Sequence, residues 1–219
     1  MGNTMTATVT VRKRRTGAGK PRRSMGRKTS IKQRKRCTRR FPWLILIGVM
    51  LLALILGAIL FSDSIYRRIF PLKYGVEVAD AAKDYGLDRW LVYAVIKVES
   101  DFVPDAKSSA GAIGLMQIMP VTGEWIAWRK NESYRQERLT EPAYNVDMGC
   151  YLLSYLLDYY DNNLDYAVAA YNAGSGRVDE WLEDPEYFDG TTLEIPYPET
   201  SNYVAKVKYA YEKYKDLYD

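Results

Sequence analysis

The 219-residue chain contains no histidine. That absence excludes Ser-His and Cys-His nucleophilic sites and removes the commonest ligand of a catalytic zinc. Cysteine is almost as scarce, with Cys37 and Cys150 lying on either side of a long apolar run, so no disulfide framework is expected within one chain. Cys150 falls in a helical pattern and reads as a small apolar core residue. Acidic residues are missing from the first 40 positions, which hold 15 of the 31 Lys and Arg residues and leave 16 basic against 27 acidic residues beyond, a net charge of −11. No aromatic residue interrupts this basic run, so the stacking platform of a single-strand binder is lacking and no nucleic acid is expected as partner. An enzyme built from the acidic part has to work mainly with carboxylates and with the 19 tyrosines.

What the chain does have is FPWLILIGVMLLALILGAILF, residues 41–61, without a single charge. A helix of that length spans about 31 Å, the thickness of a bilayer's hydrocarbon core. We read it as a transmembrane helix in preference to a cleaved signal peptide. The apolar core is too long for a signal, the basic region before it runs to residue 40, and no clear Ala-x-Ala site follows. Basic flanks stay in the cytoplasm, which places the N-terminus inside and the acidic body outside, a single-pass protein of the cell membrane. The expected organisation is a basic, disordered cytoplasmic tail at 1–40, the span at 41–61, a juxtamembrane connector at 62–73 and one globular domain at 74–219.

The domain reads as mostly α. GVEVADAAKDYG stops at Gly86, and LDRWLVYAVIKVES runs from Asp88, an N-cap by type, to the breakers Asp101 and Pro104. Pro120 opens a helix through Trp125. LTEPAYNVDMGCYLLSYLLDYYDNN forms a long helix with Thr140 as its expected N-cap. LDYAVAAYNAG stops at Gly174, and a last helix begins near PETSNYV. TTLEIPYP is the one segment that reads as extended.

Three stretches carry candidate chemistry. Helical spacing puts Glu99 on one face with Leu91, Val92, Val95 and Ile96. Desolvation there raises a carboxyl pKa, as does the negative end of the helix dipole, and suits the group to donate a proton near neutral pH. The alternative is an end-of-helix residue turned toward water. The loop GAIGLMQIMP offers Gly114 for close backbone approach, Gln117 as donor and acceptor, and Met116 and Met119 as adaptable apolar surface, or else it is an ordinary turn. In AYNAG, Tyr171 can hydrogen-bond a carboxyl or substrate oxygen, and Asn172 can do so or cap the helix end.

Glu99-Ser100, GLMQ at Gly114 to Gln117 and AYNAG at Ala170 to Gly174, in that order, resemble the catalytic domain of the soluble lytic transglycosylases (SLT), over about residues 74–215 including ETSNYV. The resemblance implies a fold like goose-type lysozyme. It also implies cleavage of the β-1,4 bond between N-acetylmuramic acid and N-acetylglucosamine in peptidoglycan, without water, to give 1,6-anhydromuramyl ends. Glu99 would be the sole acid and base, and neither cofactor nor metal is implied. Tyr171 would hydrogen-bond near Glu99 and fix its rotamer. Ser108 and Gln117 would bind N-acetyl or hydroxyl groups, and Met119 would line the groove. Asn172 would support the loop, and Glu199 would stabilise positive charge or simply favour its helix N-terminus. The implied partners are glycan strands and the lipid bilayer, with wall-synthesis or secretion machinery as candidates. A goose-type hydrolase and a non-catalytic peptidoglycan-binding module are the competing readings.

Overall fold

The computed structural model describes residues 41–219, apart from the side chains of 41–42 and 59–63, so the expectation for the basic tail lies outside the described residues. The chain divides into two compact units, 1–48 and 49–219. Of the first, the described part is the opening of helix α1, Phe41–Ile69. Apolar side chains from Trp43 to Leu56 are all exposed along α1. Among the described residues no helix is long and apolar enough to cross a membrane; side chains within the apolar run are described only over 43–58.

The second unit is a helical domain: α2 (Gly75–Asp84), α3 (Arg89–Ser100), α4 (Pro120–Lys130), a 3-10 turn (Gln136–Thr140), α5 (Pro142–Tyr159), α6 (Leu164–Ala173), α7 (Ser175–Glu183) and α8 (Pro198–Tyr218). Among the described residues extended pairing is limited to isolated bridges, one of which, Phe188 with Leu193, falls on the segment read as extended. Proline at the first helical position opens α4, α5 and α8, where its missing N–H has no partner to lose.

Helix α3 is the centre. Its residues Trp90 to Ile96 are all buried, the mark of a helix enclosed by others rather than laid on a surface. Asp88 caps it as expected, accepting from Trp90 N at 2.8 Å. Helix α8 covers α3 with an inner face of Thr200, Tyr203, Val204, Val207, Ala210 and Tyr214, at helical spacing. Helix α5 packs against α2, α4 and α6.

Two expectations for helix ends are corrected. Thr140 does not cap α5; it closes the 3-10 turn, donating to Glu137 O at 3.1 Å, and Glu141 takes the N-cap position. Pro142 decides this, because it fixes the first helical residue and disfavours helical backbone just before it. Helix α4 runs on to Lys130 and stops at Asn131, which adopts the left-handed conformation. A helix unplaced from sequence, α7, follows directly on Gly174.

Residues 62–73 are helical as far as Ile69 and held by α8. Tyr218 Oη donates to Phe70 O at 2.8 Å, Tyr214 Oη to Pro71 O at 3.2 Å, and Arg67 to Leu217 O at 2.6 Å. The Phe70 ring, 5% exposed, packs edge-on to Tyr214 at 5.4 Å.

Candidate active site

Glu99 lies in the last turn of α3, half-buried. The four aliphatic residues that share its face are at most 5% exposed. Burial pushes its pKa from an ordinary 4.5 up to about 7; a hydrogen bond from Tyr203 Oη to Oε1, at 2.6 Å, pulls the other way by favouring the carboxylate. Burial is the larger of the two influences, so the acid stays raised. Of the two readings the sequence left open, the partly desolvated acid is the one observed.

Tyr203 stands on the inner face of α8 and was not singled out from sequence, although it lies inside ETSNYV. The contact expected of Tyr171 belongs to it. Tyr171 Oη instead donates to Met116 O at 2.9 Å. Tyr171 remains close to the acid, since burial first and the charge of Glu99 second raise its phenol well above the usual range.

The glycine loop is fixed from three helices at two consecutive residues. Ser100 of α3 donates to Leu115 O at 2.8 Å, Asn145 of α5 accepts from Met116 N at 2.7 Å, and Tyr171 of α6 binds Met116 O. Asn145 has no exposure and also donates to Ile113 O at 2.9 Å and Leu139 O at 2.8 Å, so every face of its amide is used. It too was missed from sequence. Gly114 has φ +86°, and a Cβ there would stand 2.2 Å from both Asn145 and Leu139 O, which fixes glycine at this position.

Gln117 takes a left-handed backbone, φ 50°, and its side-chain nitrogen donates to Gly114 O and Ala106 O, at 2.8 and 3.2 Å. Its amide is therefore a staple of the loop, with the carbonyl oxygen left over. Met116 is wholly buried and packs where Gly149 of α5 leaves room, its sulfur 2.3 Å from where a Cβ would be. It is core rather than groove surface. Ser108 is exposed and accepts from Ala112 N at 3.0 Å. Asn172 accepts from Thr200 Oγ1 at 2.9 Å, tying α6 to α8, and Glu199 is exposed in the first turn of α8.

A cavity of about 510 Å³ opens beside this cluster, lined among others by Met119, Trp125, Tyr155, Tyr171 and Asn172. Glu99 is not among its lining residues; Tyr171 is the wall common to the two. Among the described residues no group of three or more acidic or thiol side chains is placed to hold a metal ion.

Two outcomes follow from this arrangement. Asn145→Ala leaves the N–H of Met116 and the carbonyl of Leu139 unpaired, Ile113 O keeping the N–H of Ile118, and lowers unfolding stability by about 3 kcal/mol, read from urea denaturation. Glu99 has a folded pKa raised above its unfolded value, so its stabilising effect is complete below pH 4.5 and lost as pH rises through about 7. Relative to the native protein, Glu99→Gln therefore gains stability across that window, by up to about 3 kcal/mol at pH 8. Urea midpoints measured at pH 4.5 and pH 8 check the sign.

The chain resembles known proteins in sequence and fold. Residues 77–192, more than half of the chain, match the family described as Transglycosylase SLT domain. The chain is 36% identical over 150 residues to the soluble lytic murein transglycosylase of Salmonella typhimurium, covering 66% of this chain and 23% of that one. It is 35% identical over 176 residues to the membrane-bound lytic murein transglycosylase C of Haemophilus ducreyi, covering 69% and 46%. Among solved structures, the 70 kDa soluble lytic transglycosylase of Escherichia coli superposes with a TM-score of 0.64 at 32% identity over 70% of this chain and 26% of that one. The Slt lytic transglycosylase of Pseudomonas aeruginosa, solved as an inactive glutamate-to-glutamine mutant, does so with 0.61 at 33% identity, covering 68% and 25%. The chain thus spans from about a quarter to just under half of these relatives' length. With its central half-buried acid, its stapled glycine loop and these matches together, the chain belongs to the SLT transglycosylase family.

Proposed function

We propose that residues 74–219 cleave the β-1,4 bond between N-acetylmuramic acid and N-acetylglucosamine of peptidoglycan without water, leaving 1,6-anhydromuramyl ends. The observation that carries this is a half-buried carboxyl poised near neutrality. Glu99 is raised to about 7 by burial, and its side-chain hydrogen-bond partner among the described residues is a phenol and not a second carboxyl. Glycosidases that hydrolyse by the usual routes need two carboxyls flanking the bond, so a single acid favours a route in which it acts twice.

Glu99 in its protonated form gives its hydrogen to the glycosidic oxygen as the bond from that oxygen to C1 breaks. The substrate's own 2-acetamido carbonyl supports the positive charge at C1. The new carboxylate then takes the proton of O6 as O6 bonds to C1, which returns Glu99 to its starting state. Tyr203 acts on the second half, because its hydrogen bond favours the carboxylate that exists between the steps.

The surrounding residues take supporting roles. Gly114, Met116 and Tyr171 hold the loop, and Met119 supplies apolar groove surface. The carbonyl oxygen of Gln117 and the hydroxyl of Ser108 remain to meet N-acetyl or hydroxyl groups. Asn172 lines the groove from α6, and Glu199, in the first turn of α8, stabilises positive charge or favours its helix N-terminus. The apolar run 41–61 in α1, whose described side chains are exposed, supports a membrane anchor with the N-terminus in the cytoplasm and the domain outside. One relative is itself named membrane-bound.

Mass spectrometry of peptidoglycan digested by the full-length protein tests the reaction. Anhydromuramyl products, absent with Glu99→Gln, are expected; reducing muramic ends in their place would reject the lyase in favour of a hydrolase. The same preparation, washed in alkaline carbonate, keeps the protein with the membrane, and its release would remove the anchor. Tyr203→Phe takes away the bond that lowers the pKa of Glu99, so the alkaline limb of kcat/KM moves to higher pH while the maximum falls. A profile of unchanged shape would leave Tyr203 a packing residue only.

A further inference from the structure

The turn that ends α3 is strained, and part of what holds it comes from outside the site. Directly after Glu99 and Ser100, Asp101 and Phe102 both take left-handed backbone, with φ 49° and 65°. Neither is glycine, and left-handed residues that carry a Cβ are unfavourable, the more so for a bulky ring. A right-handed pair would continue α3 past Ser100. Instead the chain reverses, with Asp101 N donating to Lys97 O at 3.3 Å and Val103 N to Ser100 O at 3.1 Å. Strain of this kind persists only where neighbouring groups over-determine it.

Two of those neighbours, Phe70 and Lys73, belong to the stretch between α1 and α2. The ammonium of Lys73 lies 5.9 Å from the ring centroid of Phe102, which is buried and packs against Tyr93 at 6.1 Å. The ammonium of Lys97 lies 5.7 Å from the ring centroid of Phe70 and pairs with the carboxylate of Asp101. Each left-handed residue is thus reached from this connector, Phe102 by Lys73 directly and Asp101 by Phe70 through Lys97. Phe70 is fixed in its turn, its ring against Tyr214 and its carbonyl accepting from Tyr218. What hangs on the turn is the site itself. One residue before Asp101, Ser100 holds the glycine loop at Leu115 O, and one residue earlier is Glu99.

We propose that Phe70 and Lys73 are positioning residues for the acid: the connector clamps the strained turn after Ser100, and the clamp keeps Glu99 against the aliphatic core. The inference rests on the reaction proposed above and goes beyond it, for it makes a segment outside the groove a determinant of the site. The titratable groups that face Glu99 from other elements are Tyr203 of α8 and Tyr171 of α6, and on its own helix end Lys97 and Asp101 pair with each other. With the clamp released, the end of α3 loosens, water reaches the carboxyl, and its pKa moves down from about 7 toward the ordinary 4.5.

The test uses the full-length protein on purified peptidoglycan, at temperatures where circular dichroism shows each variant folded, and follows kcat and the alkaline limb of kcat/KM. In Phe70→Ala/Lys73→Ala, kcat is expected to fall about tenfold with KM little changed, and the limb to move to lower pH. Lys73→Ala, at an exposed position where the fold is not at risk, shows the same changes at about threefold, and Lys73→Arg restores the native values. Asp101→Gly takes the left-handed backbone without a Cβ penalty and recovers part of the loss in the double variant. A purely structural role lowers the urea midpoint and leaves the limb where it was. That result overturns the proposal, as does a loss that Asp101→Gly leaves untouched. Should no strand be cleaved, the reaction assigned above fails, and the clamp is judged by NMR titration of the Glu99 carboxyl, its signal identified with Glu99→Gln. A midpoint lower in Lys73→Ala than in the native protein is expected, and equal midpoints overturn it.

Discussion

Removing one carboxyl group from water is the constraint around which this domain is arranged. Glu99 sits where the most enclosed helix of the fold ends, so its ionisation is set by the aliphatic core behind it and by one phenol in front. The two influences oppose each other. Core packing favours the neutral acid, the Tyr203 hydrogen bond favours the anion, and the balance falls near neutrality. A group that has to give a proton and then take one back is best served by that balance.

The neighbouring loop answers a different demand. In the proposed reaction this backbone stands beside the bond that breaks and has to be immobile. Three helices hold its Leu115 and Met116 by their peptide groups, and a buried asparagine satisfies polar atoms that would otherwise oppose folding. Side chains that look in sequence like ligand-binding groups are spent on this task. The nitrogen of Gln117 and the hydroxyl of Tyr171 both bond to the loop's own carbonyls.

How much of this was legible beforehand follows from the range of each interaction. Periodicity placed Glu99 beside Leu91, Val92, Val95 and Ile96 because those contacts are set within a single helix. The Asp88 cap and Pro120 at the opening of α4 are likewise local. Tyr203 and Asn145 were not found, since Tyr203 meets Glu99 across 104 positions and Asn145 meets Met116 across 29. A tyrosine in a chain of 19 carries no mark of its own, although an asparagine amid apolar helical positions was a signal that went unread. Thr140 shows the converse error, in which a sound capping residue was overruled by a proline two places on.

The docking of Phe70 and Pro71 against Tyr214 and Tyr218 bears on where the protein can act. Here the exit is bolted to α8, the same rod that supplies the phenol facing Glu99 about 22 Å further along. The residues that follow α1 are therefore fastened to the domain by two hydrogen bonds from the end of α8, so this stretch is part of the domain's own packing and not a free linker.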